Sequence, residues 1–74
     1  MRLLKLAESE VETIHPISYI SIFDNREHKK NWHIELSGDQ QAILSDATGN
    51  TLTFETEFSA DEHCRSKWPS LRKI

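Results

Sequence analysis

The stretch from residue 31 to residue 58 limits most strongly what this chain can fold into. It reads NWHIELSGDQQAILSDATGNTLTFETEF. Its apolar and polar residues alternate with the period of two that is typical of half-buried β-strands. Two turn signals, at residues 37–39 and 46–49, divide it into three runs. We therefore predict three short antiparallel strands, at residues 31–37, 41–45 and 50–58.

The alternation predicts that one face of these strands covers a core. The residues on the predicted inner face are Trp32, Ile34, Leu36, Leu44, Leu52, Phe54 and Phe58. The predicted outer face is polar and carries His33, Glu35, Glu55 and Glu57. An antiparallel sheet with this pattern needs cover on one side only.

The second turn predicts how the last two strands pair. Asp46 suits the first position of a type I turn, and Gly49 can take the left-handed conformation that closes a three-residue hairpin with a bulge. This register gives two apolar pairs, Leu44 with Leu52 and Ala42 with Phe54. A two-residue turn at residues 49–50 is the alternative, and it gives poorer apolar pairs.

The first sixteen residues have two interpretations. Leu3, Ala7, Val11 and Ile14 recur at helical spacing, which would give one amphipathic helix. The other interpretation is a strand at residues 2–6 and then a short helix that begins with a capping box of Ser9 and Glu12. We favour the second one. In both, Pro16 ends the segment at His15.

The flanking segments supply a further strand and a helix. Residues 17–23 are β-branched and aromatic with apolar residues on both faces, which is typical of a central strand. A capping box of Ser59 and Glu62 predicts a helix start, and Pro69 ends that helix. Its apolar stripe is Ala60, Cys64 and Trp68, and residues 69–74 are expected to form a tail.

These elements predict a single α+β domain over residues 1–74. It would have a mostly antiparallel sheet of four to five strands with the C-terminal helix packed on one face. If the sheet curls closed, the result is a small SH3-like or Sm-like barrel. A chain of this length buries only roughly 60% of the surface of its unfolded form. Its single cysteine allows no internal disulfide, so we expect stabilisation by homodimer formation.

Composition favours a protein of the cytoplasm with no membrane segment. The net charge of −3 is too small for a polyanion that mimics DNA, and a nucleic-acid-binding domain is usually net basic. No apolar run reaches the length of a membrane span, and no signal peptide pattern is present. We expect the lone thiol to be in a reducing compartment.

No pattern of catalytic, cofactor-binding or metal-binding residues is found in the sequence, so we predict that the protein is not an enzyme. The four histidines, His15, His28, His33 and His63, do not have the paired spacing of structural zinc sites, with or without Cys64. Cys64 lies on the apolar stripe of the predicted helix, which indicates a buried, unreactive thiol.

The basic residues fall into two clusters. The first is Arg26, Lys29 and Lys30, and the second is Arg65, Lys67, Arg72 and Lys73. A tryptophan accompanies each cluster, Trp32 and Trp68, and basic residues with aromatic rings are typical of surfaces that bind single-stranded nucleic acid. Both rings are also needed for the predicted core. Acidic residues cluster separately near the start of the chain, which favours pairing with a second copy or a charged partner.

The sequence as a whole predicts a small non-catalytic binding or accessory protein that acts through protein–protein contacts as a homodimer. We expect its binding surface at a free edge of the sheet or on the outer face. A small nucleic-acid-binding domain that uses the two basic clusters is the alternative.

Overall fold

The computed structural model describes residues 4–24 and 31–74. Its six strands are β1 (Leu4–Ala7), β2 (Ser18–Asp24), β3 (Asn31–Ser37), β4 (Gln41–Ser45), β5 (Thr53–Phe54) and β6 (Arg72–Lys73). A 3₁₀ helix (Glu8–Ile14) follows β1, and one α-helix, α1 (Glu57–Lys67), lies between β5 and β6. The α+β class is therefore as predicted.

The sheet is mixed, with the order β1-β4-β3-β2-β6 and with β5 also paired to β3. Strands β2, β3 and β4 form an antiparallel meander, whereas β1 joins β4 in parallel and β6 joins β2 in parallel. The sheet is not closed, so the small barrel is not formed. The prediction of a mostly antiparallel sheet is correct for the centre and wrong for both edges.

The strand β6 lies in the segment that was predicted to be a tail. The backbone N–H of Arg72 donates to the carbonyl of Ile17 at 3.1 Å, and the N–H of Ile74 donates to that of Tyr19 at 2.8 Å. Leu71 packs against the core just before these bonds begin. This contact positions a two-residue strand that is too short to show a periodic pattern in the sequence.

The hairpin turn at residues 46–50 has the predicted geometry. The N–H of Gly49, whose φ is 90°, donates to the Asp46 carbonyl at 3.1 Å, and the N–H of Asp46 donates to the Asn50 carbonyl at 2.8 Å. The predicted register holds as far as Leu52, whose N–H donates to the Leu44 carbonyl at 3.0 Å. Past that point the prediction is wrong, because Phe54 pairs with Trp32 and not with Ala42. Both β4 and β5 therefore pair with β3, one after the other along its length, and the turn lies between them.

The inner face of the sheet carries the core, and both helices pack on it. Its fully or almost fully buried residues are Leu6, Val11, Ile14, Tyr19, Ile34, Leu36, Ala42, Leu44, Ala60 and Cys64. Trp32, Leu52, Phe54, Trp68 and Leu71 are half-buried against this cluster. The predicted packing of α1 through Cys64 and Trp68 is confirmed. Neither helix of the described ranges has the length and apolar character that crossing a membrane requires.

Phe58 is the exception among the predicted core residues, because its side chain is 72% exposed. The predicted strand at residues 50–58 ends at Phe54, and α1 begins at Glu57. Thr56 caps this helix, since its Oγ1 accepts a hydrogen bond from the N–H of Ser59 at 3.0 Å. The predicted cap, Ser59, lies three residues beyond the observed cap, Thr56. Glu57 and Phe58 therefore belong to the helix and not to the strand.

The strand-then-helix interpretation of the N-terminal segment is confirmed for the described residues. The predicted capping box was two residues late, because Glu10 Oε1 accepts a hydrogen bond from the Ala7 N–H at 3.2 Å. The 3₁₀ helix ends at Ile14, and His15 takes a left-handed conformation with φ 47°. Residues 2 and 3 of the predicted strand lie outside the described residues.

Candidate functional site

The outer face of the sheet is the side that carries neither of the two described helices. Direct cross-strand neighbours share a face. Glu35 lies between Ile20 and Ile43, and His33 lies between Ile22 and Thr53. Lys5 follows beside Ile43 at the β1 edge. The outer face is thus defined by Lys5, Ile20, Ile22, His33, Glu35, Ile43 and Thr53, with the polar residues Ser18, Ser37 and Gln41 at one end. It is more apolar than predicted because β2 and β4 contribute three half-buried isoleucines.

A histidine–carboxylate pair occupies the middle of the outer face. His33 Nε2 lies 3.1 Å from Glu35 Oε2, and the two side chains are only 12% and 19% exposed. The other ring nitrogen, Nδ1 of His33, is buried and has no hydrogen-bond partner within the described ranges. A buried polar atom without a partner costs about 1–3 kcal/mol. The pair is therefore poorly matched to its surroundings in the isolated chain.

Two of the acids assigned to the outer face do not lie there. Glu57 is in the first turn of α1, where its Oε1 lies 3.2 Å from Lys73 Nζ. Glu55 lies in the bend between β5 and α1 and is exposed. The assignment failed because it extended the strand through residue 58.

The arrangement around Cys64 does not support nucleophilic chemistry. Cys64 is fully buried, and this burial raises the pKa of its thiol to about 12. A thiol with so high a pKa is almost entirely protonated at neutral pH and is a poor nucleophile. The predicted buried thiol is confirmed.

The described histidines bind separate carboxylates instead of forming a metal centre. His15 Nδ1 lies 2.7 Å from Asp39 on the surface, and His63 Nε2 lies 2.7 Å from Glu8. Among the residues that the structure describes, no three potential ligands form a cluster that could hold a metal ion. His28 lies outside the described residues.

The pair of Glu8 and His63 links the 3₁₀ helix to α1. Glu8 also binds Lys67, whose Nζ lies 3.1 Å from Oε2. Burial alone would raise the pKa of Glu8, but the hydrogen bonds from Lys67 and His63 outweigh it and hold this pKa below its usual value. Glu8 therefore stays ionised and holds both partners at neutral pH.

A second network joins α1 to β2 and β6. The Tyr19 hydroxyl donates to Asp61 Oδ1 at 2.6 Å, and Lys73 Nζ lies 3.3 Å from the same oxygen. The Tyr19 hydrogen bond, with smaller contributions from Lys73 and Arg65, lowers the pKa of Asp61. Burial and this bond raise the pKa of Tyr19 to about 12. These groups stabilise the packing of the helix, and they use side chains that were predicted to bind nucleic acid.

The second basic cluster is largely engaged within the protein. Lys67 binds Glu8, and Lys73 binds Glu57 and Asp61. Arg65 lies 4.0 Å from Asp61 one turn away on α1. Arg72 lies on β6 beside Ser18 and is exposed. The first cluster, Arg26, Lys29 and Lys30, lies outside the described residues. Three of the four cations of the second cluster are thus close to carboxylates.

The two tryptophans are not free stacking platforms. Trp32 is half-buried against the core with the ring of Phe23 at 5.3 Å, and Trp68 is half-buried with the ring of His63 at 6.2 Å. Because bases need an open aromatic face, these positions weaken the case for nucleic-acid binding.

Comparison with known proteins gives no match: no family model fits the chain, and no curated protein or solved structure is significantly similar to it.

Proposed function

We propose that this chain is a small non-catalytic binding or accessory protein of the cytoplasm that acts through protein–protein contacts and forms a homodimer through its outer face. One observation carries the proposal. Both described helices cover the inner face, while Ile20, Ile22 and Ile43 lie on the opposite side around a half-buried His33–Glu35 pair. Apolar surface gathered in one place is the usual mark of an interaction site.

A two-fold arrangement would suit the polar pair as well as the isoleucines. In a symmetric interface each residue of one copy can meet a different residue of the other, and the contact then occurs twice. With the axis near the middle of β3, Glu35 of each protomer approaches His33 of its partner. This contact would place the carboxylate of each copy beside an imidazole of the other copy instead of beside a like charge.

The size of the face indicates a weak dimer. About five strands spaced by about 4.8 Å, each contributing about five residues of about 3.3 Å, give roughly 400 Å² per protomer. A standard stable interface buries about 800 Å² per partner. We therefore expect a dissociation constant in the micromolar range or weaker, so that the oligomeric state changes with concentration.

Sedimentation velocity over a wide range of protein concentrations tests the proposal. The wild type should shift from monomer to dimer, and Ile22→Lys should remain monomeric because it places a charge in the middle of the contact. Ile17→Lys is the matched control, since Ile17 is 69% exposed and lies outside the outer face. Circular dichroism verifies that both variants are folded. A wild type that stays monomeric throughout, or two variants that dimerise equally, would refute the dimer.

The alternative of nucleic-acid binding has less support, because three cations of the second cluster lie close to carboxylates and the tryptophans are half-buried. Titration with a fluorescent single-stranded oligonucleotide separates the two functions. Binding that weakens steeply as salt is raised would replace our proposal with the alternative. Absence of binding at low salt would remove the alternative.

A further inference from the structure

A second exposed apolar feature lies on the helical side of the molecule, away from the outer face. Phe58 in the first turn of α1 is 72% exposed. It borders a shallow groove of about 470 Å³ that is lined by Phe54, Phe58, Ser59, Glu62, His63 and Ser66. We call this the Phe58 groove. A large aromatic side chain that is exposed beside other rings is a common anchor in protein interfaces.

The rings at the floor of the groove are held by contacts within the protein. The ring of His63 lies 5.2 Å from that of Phe54 and 6.2 Å from that of Trp68. Its Nε2 is held by Glu8 at 2.7 Å. Because Phe54 and Trp68 also pack against the core, a ligand meets rings that are already in place, and little ordering is needed on binding.

The charges around the groove are acidic. Glu62 lines it, Glu55 follows Phe54 directly, and both are exposed. Neither carboxylate forms an ion pair with another residue of the described ranges. The cations on and after α1, by contrast, include Lys67, which is engaged by Glu8, Lys73, which is engaged by Glu57, and Arg65, which lies 4.0 Å from Asp61. Aromatic faces together with carboxylates favour a cationic side chain through both the ring quadrupole and direct charge attraction.

We propose that the Phe58 groove binds a basic amphipathic segment of a partner protein, with an Arg or Lys of that segment over the Phe58 ring and beside Glu62. This proposal does not depend on the homodimer, because it concerns the opposite side of the molecule. It assigns the chain one surface for a second copy and another for a different protein.

Two synthetic peptides of equal length and identical apolar pattern test the groove. One carries Arg at its polar positions and the other carries Glu, and each is titrated into ¹⁵N-labelled full-length protein while amide shifts are recorded. The basic peptide should move the amide signals of residues 54–66 in a saturable way, and the acidic peptide should leave them unchanged. Phe58→Ala should weaken binding at least about tenfold, and Glu62→Gln should weaken it severalfold.

Ile17→Ala is the matched control, since it removes an equally exposed apolar side chain outside the groove and should leave peptide affinity unchanged. Equal binding of both peptides, no shifts with the basic peptide, or shifts that map elsewhere would overturn the proposal. Shifts of residues 54–66 on concentration alone, without peptide, would show instead that a second copy covers the groove. Because Phe58→Ala leaves the outer face intact, its dimerisation should equal that of the wild type, which separates this test from that of the homodimer.

Discussion

The two faces of one sheet differ in this protein more than their shared strands suggest. Along β3, Ile34 and Leu36 point inward and are fully buried, while His33 and Glu35 point outward into a face without a described helix. The inner face is completed within the chain by the 3₁₀ helix and α1. The outer face has isoleucines on both sides of its polar pair, and the pair includes a buried nitrogen, His33 Nδ1, that has no partner among the described residues. The fully buried side chains are thus concentrated on one side of each strand.

The largest expected effect is on the inner face. Ile34→Ala should lower the free energy of unfolding by about 2–5 kcal/mol, because it leaves a cavity in a fully packed core. Ile22→Ala on the outer face is the matched change in side-chain size. It should cost about 1 kcal/mol or less at concentrations at which sedimentation shows a monomer, since Ile22 is half-buried and no described helix covers it.

Urea denaturation followed by tryptophan fluorescence measures both variants. Equal losses of unfolding free energy in Ile34→Ala and Ile22→Ala would contradict the expectation that the inner face contributes more to stability than the outer face. It would mean that the outer face is packed as tightly as the core in the single chain.

The hydrogen bond between Tyr19 and Asp61, which joins β2 to α1, should have an intermediate effect on stability that depends on pH. Tyr19→Phe removes the hydrogen bond to ionised Asp61, which should cost about 1.5–3 kcal/mol at neutral pH. The pKa of Asp61 is lowered from its ordinary value of 3.8, so its contribution is present above that value and is lost as the pH falls through the lower folded pKa. The acid-induced loss of stability should therefore be smaller in Tyr19→Phe than in the wild type.

Urea titrations at a series of pH values between about 6 and 2 give the two curves. If the variant and the wild type lose the same stability over this range, Asp61 is not held ionised by Tyr19. Asp61→Asn serves as the control, since it removes the titrating group and keeps the size of the side chain.

The smallest expected effect is on the outer face itself. The double variant His33→Val/Glu35→Val removes both members of the polar pair, including the buried Nδ1 of His33 that has no partner among the described residues. Replacing both partners by apolar groups of suitable shape is often neutral or stabilising. We expect the monomer to be unchanged or more stable by up to about 1 kcal/mol, with dimerisation altered. A loss of stability above this size in urea denaturation would make the pair a structural element and not a binding feature.

Among the features of the fold, the positions of the central strands are the ones that the sequence predicts best. The bounds of β3 and β4 and the turn at Asp46 match the prediction, because alternation and turn chemistry act over a few neighbouring residues. The edges of the sheet were not predictable in this way. The strand β6 has only two residues, and its pairing with β2 depends on contacts between residues far apart in the chain.

The error at Phe58 has a local cause. Residues 50–58 alternate regularly, and this pattern outweighed the helix signal of Thr56, which is one of several residues there that can cap a helix. The surroundings of the predicted site residues were also not visible in the local sequence. Composition locates Arg65, Lys67 and Lys73 in one segment, but only the structure shows that Glu8 and Asp61, from other parts of the chain, approach them.

The two parallel edges have a consequence for how the chain folds. The meander of β2, β3 and β4 pairs neighbouring segments, such as Ser37 with Gln41, so its loops close at little entropic cost. Leu4 pairs with Ala42 and Ser18 pairs with Arg72, which are 38 and 54 positions apart. Pairings of such high sequence separation form slowly. We expect the meander to be the folding nucleus and both edge strands to dock after the rate-limiting step, which gives substitutions at Leu6 and Leu71 low φ-values.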